Sequence, residues 1–227
     1  MIAEFYMVLN KDSKLEICEI FYSIQGESTW AGCPMIFIRL SGCNLDCSWC
    51  DTRYAFEKGT FFTIEEILNI ISQYRCKRVE ITGGEPLLQE PVLMLMKMLL
   101  EKGYTVLLET NGACSIKDVP PGVVKVMDIK CPSSGMEKQM LWENIDYLNP
   151  FLDEVKFVIA DRNDYEYAVE KLHEFQLDKK CRAVLFSPVA GRISLQEFAH
   201  WILQDGLPVR LQVQLHRIIW GENTRGV

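Results

Sequence analysis

Long apolar runs, histidine and excess positive charge are all scarce in this 227-residue chain. The longest apolar stretch, VLMLMKMLL around residues 92–100, is short and interrupted by lysine. It falls below the roughly 18 to 20 residues that a membrane-spanning helix needs. The opening MIAEFYMVLNKDSKLEI has no basic segment followed by an apolar one, so no secretory signal is expected. A cytoplasmic protein without a membrane partner is the expectation. Lys and Arg number 24 against 31 Asp and Glu, a net charge of −7. Such a balance is a poor footprint for a phosphate backbone, so nucleic acid is not expected as a partner. Linkers, repeats and low-complexity tracts are also missing, and the length suits one domain, residues 1–227, with a full core.

Cysteine is plentiful, with nine in the chain. In a cytoplasmic protein these read as free thiols or metal ligands rather than disulfides. Cys18, Cys33, Cys76, Cys114, Cys131 and Cys181 are scattered in or beside apolar segments and read as small buried hydrophobes. The other three, Cys43, Cys47 and Cys50, sit together in SGCNLDCSWCDT (41–52). Thiolates select zinc or iron–sulfur clusters. A structural zinc site needs a fourth ligand, and His173, His200 and His216 have no zinc-knuckle spacing to these cysteines. A [4Fe–4S] cluster on three cysteines is complete in protein ligands and keeps one iron open. Open-iron cluster, zinc site and metal-free loop are the three readings the residues allow.

The rest of the chain alternates between strand and helix patterns. FYMVLN, KDS and KLEICEIFYS read as an N-terminal β-hairpin. MIFIRL (35–40) is a compact apolar strand, and TIEEILNIISQY (63–74) has helical spacing with a Thr63–Glu66 capping box. RVEIT (78–82) reads as a strand and PLLQEPVLMLMKMLLEKG (86–103) as a helix. Strands follow at TVLLE (105–109), VVKVMDI (123–129), EVKFVIA (154–160), RAVLF (182–186) and RLQVQLH (210–216). Helices at KQMLWENIDYL, DYEYAVEKLHEF and SLQEFAHWIL separate the last four. Apolar strands alternating with amphipathic helices predict an α/β fold with a parallel sheet buried on both faces. With about six units, the expectation is an incomplete (β/α)6-type partial barrel or an open wound sheet.

Chemically unusual turns follow these strands: the cysteine loop, TGGEP (82–86), ETNG (109–112), DIKCPSSG (128–135) and FSPV (186–189). All five are expected on one rim, where this architecture places its sites. Taken alone, GGEP is equally an ordinary strand-to-helix turn, and ETNG a capped one.

Cys43-x3-Cys47-x2-Cys50 resembles the signature of the radical S-adenosylmethionine (SAM) superfamily. That resemblance implies a [4Fe–4S] cluster whose open iron takes the amino and carboxylate groups of SAM. It also implies reductive cleavage of SAM to a 5′-deoxyadenosyl radical. The SAM contacts it implies are Trp49, Cys50 and Asp51 beside the loop and Gly83, Gly84 and Glu85 at the amino group. Glu109, Asn111, Lys130, Ser133 and Ser187 are its implied ribose and carboxylate contacts. Trp49 packs at the adenine side or covers the cluster.

EIFYSIQGES…AGCPMIFIRLSGCNLDCSWCDT and RLQVQLHRIIWGENTRGV resemble the opening and closing segments of the 7-carboxy-7-deazaguanine synthase family, of the queuosine and 7-deazapurine pathway. The likeness implies 6-carboxy-5,6,7,8-tetrahydropterin as substrate. Hydrogen is abstracted at its C6, and the ring contracts with loss of ammonia. Magnesium bound at Thr52, a homodimer and a reductant protein such as flavodoxin or ferredoxin are implied as well. Substrate contacts fall on Ile24, Gln25, Gly26, Glu27, Arg39, Thr82, His216 and the carboxylate of Val227, with Arg39 offering a guanidinium fork and Glu27 reading the pterin's amino-pyrimidinone edge. Two departures stand out: Ser28 replaces the loop glycine usual in the family, and the chain ends RGV. The alternatives are a radical SAM activase that installs a glycyl radical in a partner enzyme, and a non-enzymatic zinc or cluster scaffold.

Overall fold

The computed structural model describes residues 12–221 and 224–226. Its nine strands form one sheet in the order β3-β1-β2-β4-β5-β6-β7-β8-β9. β1 (Lys14–Ile24) runs antiparallel to β2 (Pro34–Leu40) and to β3 (Thr60–Thr63). From β2 onward every pairing is parallel, through β4 (Arg78–Gly83), β5 (Thr105–Thr110), β6 (Val124–Ile129), β7 (Glu154–Ile159), β8 (Ala183–Pro188) and β9 (Arg210–Leu211). The sheet stays open, as expected of a partial barrel. The helices are α1 (Ile64–Ile71), α2 (Pro91–Glu101), α3 (Arg162–Glu174), α4 (Leu177–Lys180), α5 (Leu195–Asp205) and α6 (Leu215–Trp220). None is long and apolar enough to cross a membrane.

The two faces of the sheet differ. On the outer face, Ile64, Ile67 and Ile71 of α1 and Leu95, Met96 and Leu99 of α2 join Ile36, Ile38, Val79, Ile81, Val106 and Leu108 in one fully buried core. α3 and α5 extend it with an edge-to-face aromatic group of Tyr165, Phe186, Phe198 and Trp201. The inner face carries a small plug of Phe21, Met35, Phe37, Leu107 and Val124. Above the plug the inward positions turn polar and charged, and the site lies there.

Several elements differ from their sequence pattern. The Thr63–Glu66 capping box forms, with Thr63 and Glu66 each bonding the other's backbone N–H. The single helix expected over 86–103 is split into a short 3-10 turn at Pro86–Leu88 and α2. Pro91 is the reason, since a proline has no N–H to donate and is tolerated only in a first turn. KQMLWENIDYL makes 3-10 turns at Glu137–Gln139 and Trp142–Tyr147 instead of an α-helix. There the buried Asn144 amide bonds the Gly112 and Cys114 carbonyls and the Ile116 N–H, drawing the backbone into another path. RLQVQLH is a strand only at Arg210–Leu211. Beyond it the chain bonds across to the 25–28 loop, through Gln212 to Ser28 and Leu215 N–H to the Gly26 carbonyl, and enters α6. Of the expected N-terminal hairpin, KLEICEIFYS is in β1, while FYMVLN lies outside the described residues.

Leu95→Ala should lower stability by about 2–5 kcal/mol, because it opens a cavity in the outer-face core. Leu203→Ala, at a residue 79% exposed, should change it by less than about 0.5 kcal/mol. Urea denaturation of the two variants checks the contrast.

Candidate active site

The cysteine loop is held at both ends before any ligand is considered. Gly42 N–H donates to the Ala55 carbonyl at 2.8 Å, and Arg53 Nη2 to the Cys47 carbonyl at 2.9 Å. Ser48 bonds the Ser133 and Ser134 carbonyls of the turn that follows β6. Cys47 is buried, Cys43 and Cys50 half-buried, and all three line one cavity. Burial pushes the Cys47 and Cys50 thiols up, so their thiolates want a compensating positive partner. Among the described residues no three His, Cys, Asp or Glu side chains converge on a single ion. Thiols ringing a cavity suit a multi-iron cluster, in which each sulfur meets a different iron, better than one tetrahedral zinc.

Gly83 and Gly84 line the same cavity, but the structure gives their lack of side chains a further cause. A Cβ on Gly83 would overlap the Leu40 backbone, and one on Gly84 the Gly42 carbonyl. The two turns are docked backbone to backbone: Gly84 N–H donates to the Leu40 carbonyl at 3.1 Å and Glu85 N–H to the Gly42 carbonyl at 2.8 Å. Glu85, expected at the SAM amino group, is not among the residues that line the cavity. Its fully buried carboxylate accepts from Asn111 N–H at 2.7 Å, from Leu87 N–H at 3.0 Å and from the Thr110 hydroxyl. It is a clamp between TGGEP and ETNG. Asn111, fixed by that clamp, lines the cavity and donates to Asn44 Oδ1 at 2.8 Å.

Trp49, Lys130, Asn111 and Ser187 line the first cavity with the cysteines. Ser133 does not: its hydroxyl bonds Asp164 and accepts Trp49 Nε1–H at 3.0 Å. It sets the orientation of the indole, over which Lys130 Nζ lies 5.6 Å from the ring centre. Lys130 is bound to Asp128 Oδ2 at 2.8 Å, and Asp128 Oδ1 is a buried acceptor on that wall without a partner among the described residues.

A second cavity adjoins the first and shares Arg39, Asp51, Thr52, Thr82, Glu109 and Arg217 with it. Ile24, Gln25, Gly26, Glu27 and His216 also line it. His216 packs so closely on Gly26 that no Cβ fits there. Arg39 Nε is tied to Glu19 at 2.8 Å, and its guanidinium lies over the Phe21 and Tyr54 rings. Asp51 accepts from Thr52 Oγ1 at 2.8 Å and from Arg217 at 3.0 Å. Burial opposes its charge, but these two partners hold its carboxyl at about 2. Thr52 and Asp51 thus offer hard oxygens at the boundary of the two cavities, a donor set that suits magnesium. Ser28 sits at φ 64°, the left-handed conformation that favours glycine. Its hydroxyl accepts Trp30 N–H and its own N–H donates to Gln212 Oε1, which holds the loop in the glycine-like turn. Val227 lies outside the described residues.

The boundary also holds a buried charge network that the sequence reading missed. Lys156 Nζ binds Glu27 at 2.8 Å, contacts Glu109, and stands 3.6 Å from Asp128. Burial works against its ammonium, and these three carboxylates keep it charged. Burial likewise opposes the Glu109 charge, which Lys156 restores. Glu80 differs, since burial and the nearby Glu109 and Glu27 push its carboxyl well up. Asp128, Lys156 and Glu80 had a visible signal. Each is a charge inside a largely apolar strand: VKVMDI, EVKFVI and RVEITG.

The Radical SAM superfamily description matches residues 37–124, which run from β2 through the cysteine loop to the start of β6. The fold and the site together define a radical SAM enzyme. The 7-carboxy-7-deazaguanine synthase of Koribacter versatilis is 44% identical, covering 94% of this chain and all of that protein. That of Chlorobaculum tepidum is 43% identical over 96% of this chain and all of its own length. Among solved structures, QueE from Escherichia coli superposes with a TM-score of 0.76 at 26% identity, covering 89% of this chain and 95% of the other. The chain belongs to the 7-carboxy-7-deazaguanine synthase family.

Gly84→Ala should displace the cysteine loop through the Gly42 carbonyl. The expected result is at least a fivefold drop in iron and sulfide retained after anaerobic reconstitution, with a loss of about 1–3 kcal/mol in stability from the overpacked contact. Iron analysis and urea denaturation read the two effects separately.

Proposed function

We propose that this chain, as one domain over residues 1–227, converts 6-carboxy-5,6,7,8-tetrahydropterin to 7-carboxy-7-deazaguanine and ammonia for queuosine and 7-deazapurine synthesis. One observation carries the reading beyond the family assignment. A cavity ringed by three cysteines opens, through a shared wall of Arg39, Asp51, Thr52, Thr82, Glu109 and Arg217, into a second cavity lined by the Ile24–Glu27 loop. The cluster and SAM would lie in one cavity and the substrate in the other, against one shared wall.

Cys43, Cys47 and Cys50 would hold a [4Fe–4S] cluster, with SAM against Gly83, Gly84, Asn111, Lys130, Ser187 and Trp49. The bound cluster and SAM together supply the deoxyadenosyl radical. Everything else belongs to the chain. Arg39, stacked between two rings, orients a substrate carboxylate. Thr52 and Asp51 would hold Mg²⁺, their oxygens supplying hard ligands at the boundary of the two cavities. The Lys156 ammonium ties Glu27 and Glu109 in place, so the wall between the cavities does not reorganise when substrate binds. Glu85 and Ser133 act one step back, positioning Asn111 and Trp49.

The enzyme works in the cytoplasm as a homodimer and takes its electron from flavodoxin or ferredoxin. The glycyl-radical activase alternative is set aside, because relatives matched over nearly their whole length are synthases.

Reconstituted protein given dithionite, SAM, Mg²⁺ and the carboxypterin without oxygen should yield the deazaguanine acid, read by chromatography and mass spectrometry. Intact SAM cleavage without that product would sink the assignment. Thr52→Ala should cut magnesium stimulation of turnover at least fivefold while SAM cleavage without substrate changes less than twofold. Equal losses of both would argue against a metal role for Thr52.

A further inference from the structure

Glu80 is a carboxyl where packing alone would place a hydrophobe. In the parallel register it stands between Phe37 of β2 and Leu107 of β5, and Leu107 pairs on with Val124 of β6. Those three neighbours belong to the apolar plug, and Glu80 is the one polar member of the row. It is only 4% exposed. Replacing a buried ionisable group by an apolar side chain of similar size is often stabilising, so stability does not explain this residue.

The carboxyl lines the second cavity. Among the described residues its one hydrogen bond comes from the Gln25 side-chain amide to Oε2. The groups that act on it are Glu109, Glu27, Lys156 and Arg39. Beside it in the cavity wall are the Phe21 and Phe37 rings, stacked with centroids 4.8 Å apart and 9° from parallel, and Val126. A planar apolar surface with one carboxyl among it is complementary to a flat heterocycle that carries N–H donors on one edge.

Glu27 had the sequence-based claim to that edge, but its carboxylate is already engaged by three donors. Lys156 Nζ and Gln212 Nε2 reach Oε2 at 2.8 and 3.1 Å, and Gln214 Nε2 reaches Oε1 at 2.8 Å. Glu80 has the larger unused accepting capacity. We propose that Glu80 is the specificity-determining residue that accepts the 2-amino and N3 hydrogens of the substrate's aminopyrimidinone ring. The assignment rests on the carboxypterin reading above and adds to it the group that reads the ring.

Two accepted hydrogens make a bidentate, charge-assisted contact when the carboxyl is ionised. Burial, with Glu109 and Glu27 nearby, pushes the Glu80 carboxyl well up. Binding of the two N–H donors favours the carboxylate, so the proton leaves as the ligand enters. A pocket built around such donors also rejects a ligand that lacks one of them, because the buried acceptor is then left unpaired.

The test compares wild type and Glu80→Gln on the carboxypterin and on its 2-deamino analogue, using reconstituted enzyme without oxygen. Wild type should prefer the amino substrate by at least about tenfold in kcat/KM. Glu80→Gln should raise KM for that substrate at least about tenfold and flatten the preference to within about threefold. SAM cleavage in the absence of substrate should stay within twofold. A preference that survives in Glu80→Gln overturns the assignment. Calorimetry of product binding to wild type in two buffers of different ionisation enthalpy is independent of the variant's folding. It should show net proton release on binding, and no release overturns the assignment too. Failure of wild type to convert the carboxypterin at all would instead overturn the proposed function and this assignment with it. Conversion by wild type with an unaltered variant removes only Glu80.

Discussion

Two backbone hydrogen bonds, Gly84 N–H to Leu40 and Glu85 N–H to Gly42, hold the working end of this molecule together. They join the turn after β4 to the cysteine loop after β2, at a separation that excludes any side chain on either glycine. Glu85 then passes the constraint on. Its carboxylate, buried by the same contact, accepts the Asn111 N–H and the Thr110 hydroxyl at the end of β5. Three rim turns become one unit through backbone and carboxylate hydrogen bonds. A loop with three thiolates must not collapse when empty or wander when loaded, and this docking meets both demands. The cost is a buried carboxyl, pushed up by burial and offset by three donors.

Charge inside the barrel is the second theme. Lys156, Glu27, Glu109, Asp128 and Glu80 are gathered above the apolar plug formed by Phe21, Met35, Phe37, Leu107 and Val124. Desolvation of such groups costs several kcal/mol each unless they are paired. Lys156 offsets this for Glu27 and Glu109, while for Glu80 burial and the neighbouring carboxylates push the carboxyl well up. The network lies between the cysteine-lined cavity and its neighbour, where fixed charges face whatever passes from one to the other. Salt bridges from Lys156 to Glu27 and Glu109 fix its geometry from within the fold.

Much of this was legible from local pattern, because parallel strands buried on both faces read as short apolar runs. The positions of Cys43, Cys47 and Cys50, the rim turns and the Thr63–Glu66 cap all needed only neighbouring residues to be recognised. The errors share a cause as well. Asn144 captures carbonyls from the 112–114 turn and converts a helix pattern into 3-10 turns. Gln212 and Leu215 bond to the 25–28 loop and shorten a strand pattern to two residues. In each case a distant backbone group competes for a bond that local propensity assigns elsewhere.

The chain's order of residues by itself determined the alternating fold, the cluster-binding loop and the family, since each depends on spacing within a few residues or on likeness along the chain. Tertiary structure alone decided what individual carboxyls do. Glu85 and Glu27 are satisfied by partners 26 and 129 residues away, and Glu80 is left facing a cavity by strands that meet only after folding. A carboxylate's role is set by which donors reach it in space, and no local pattern records that. The same holds for Ser28, whose glycine-like turn stands because Gln212, 184 residues on, accepts its N–H.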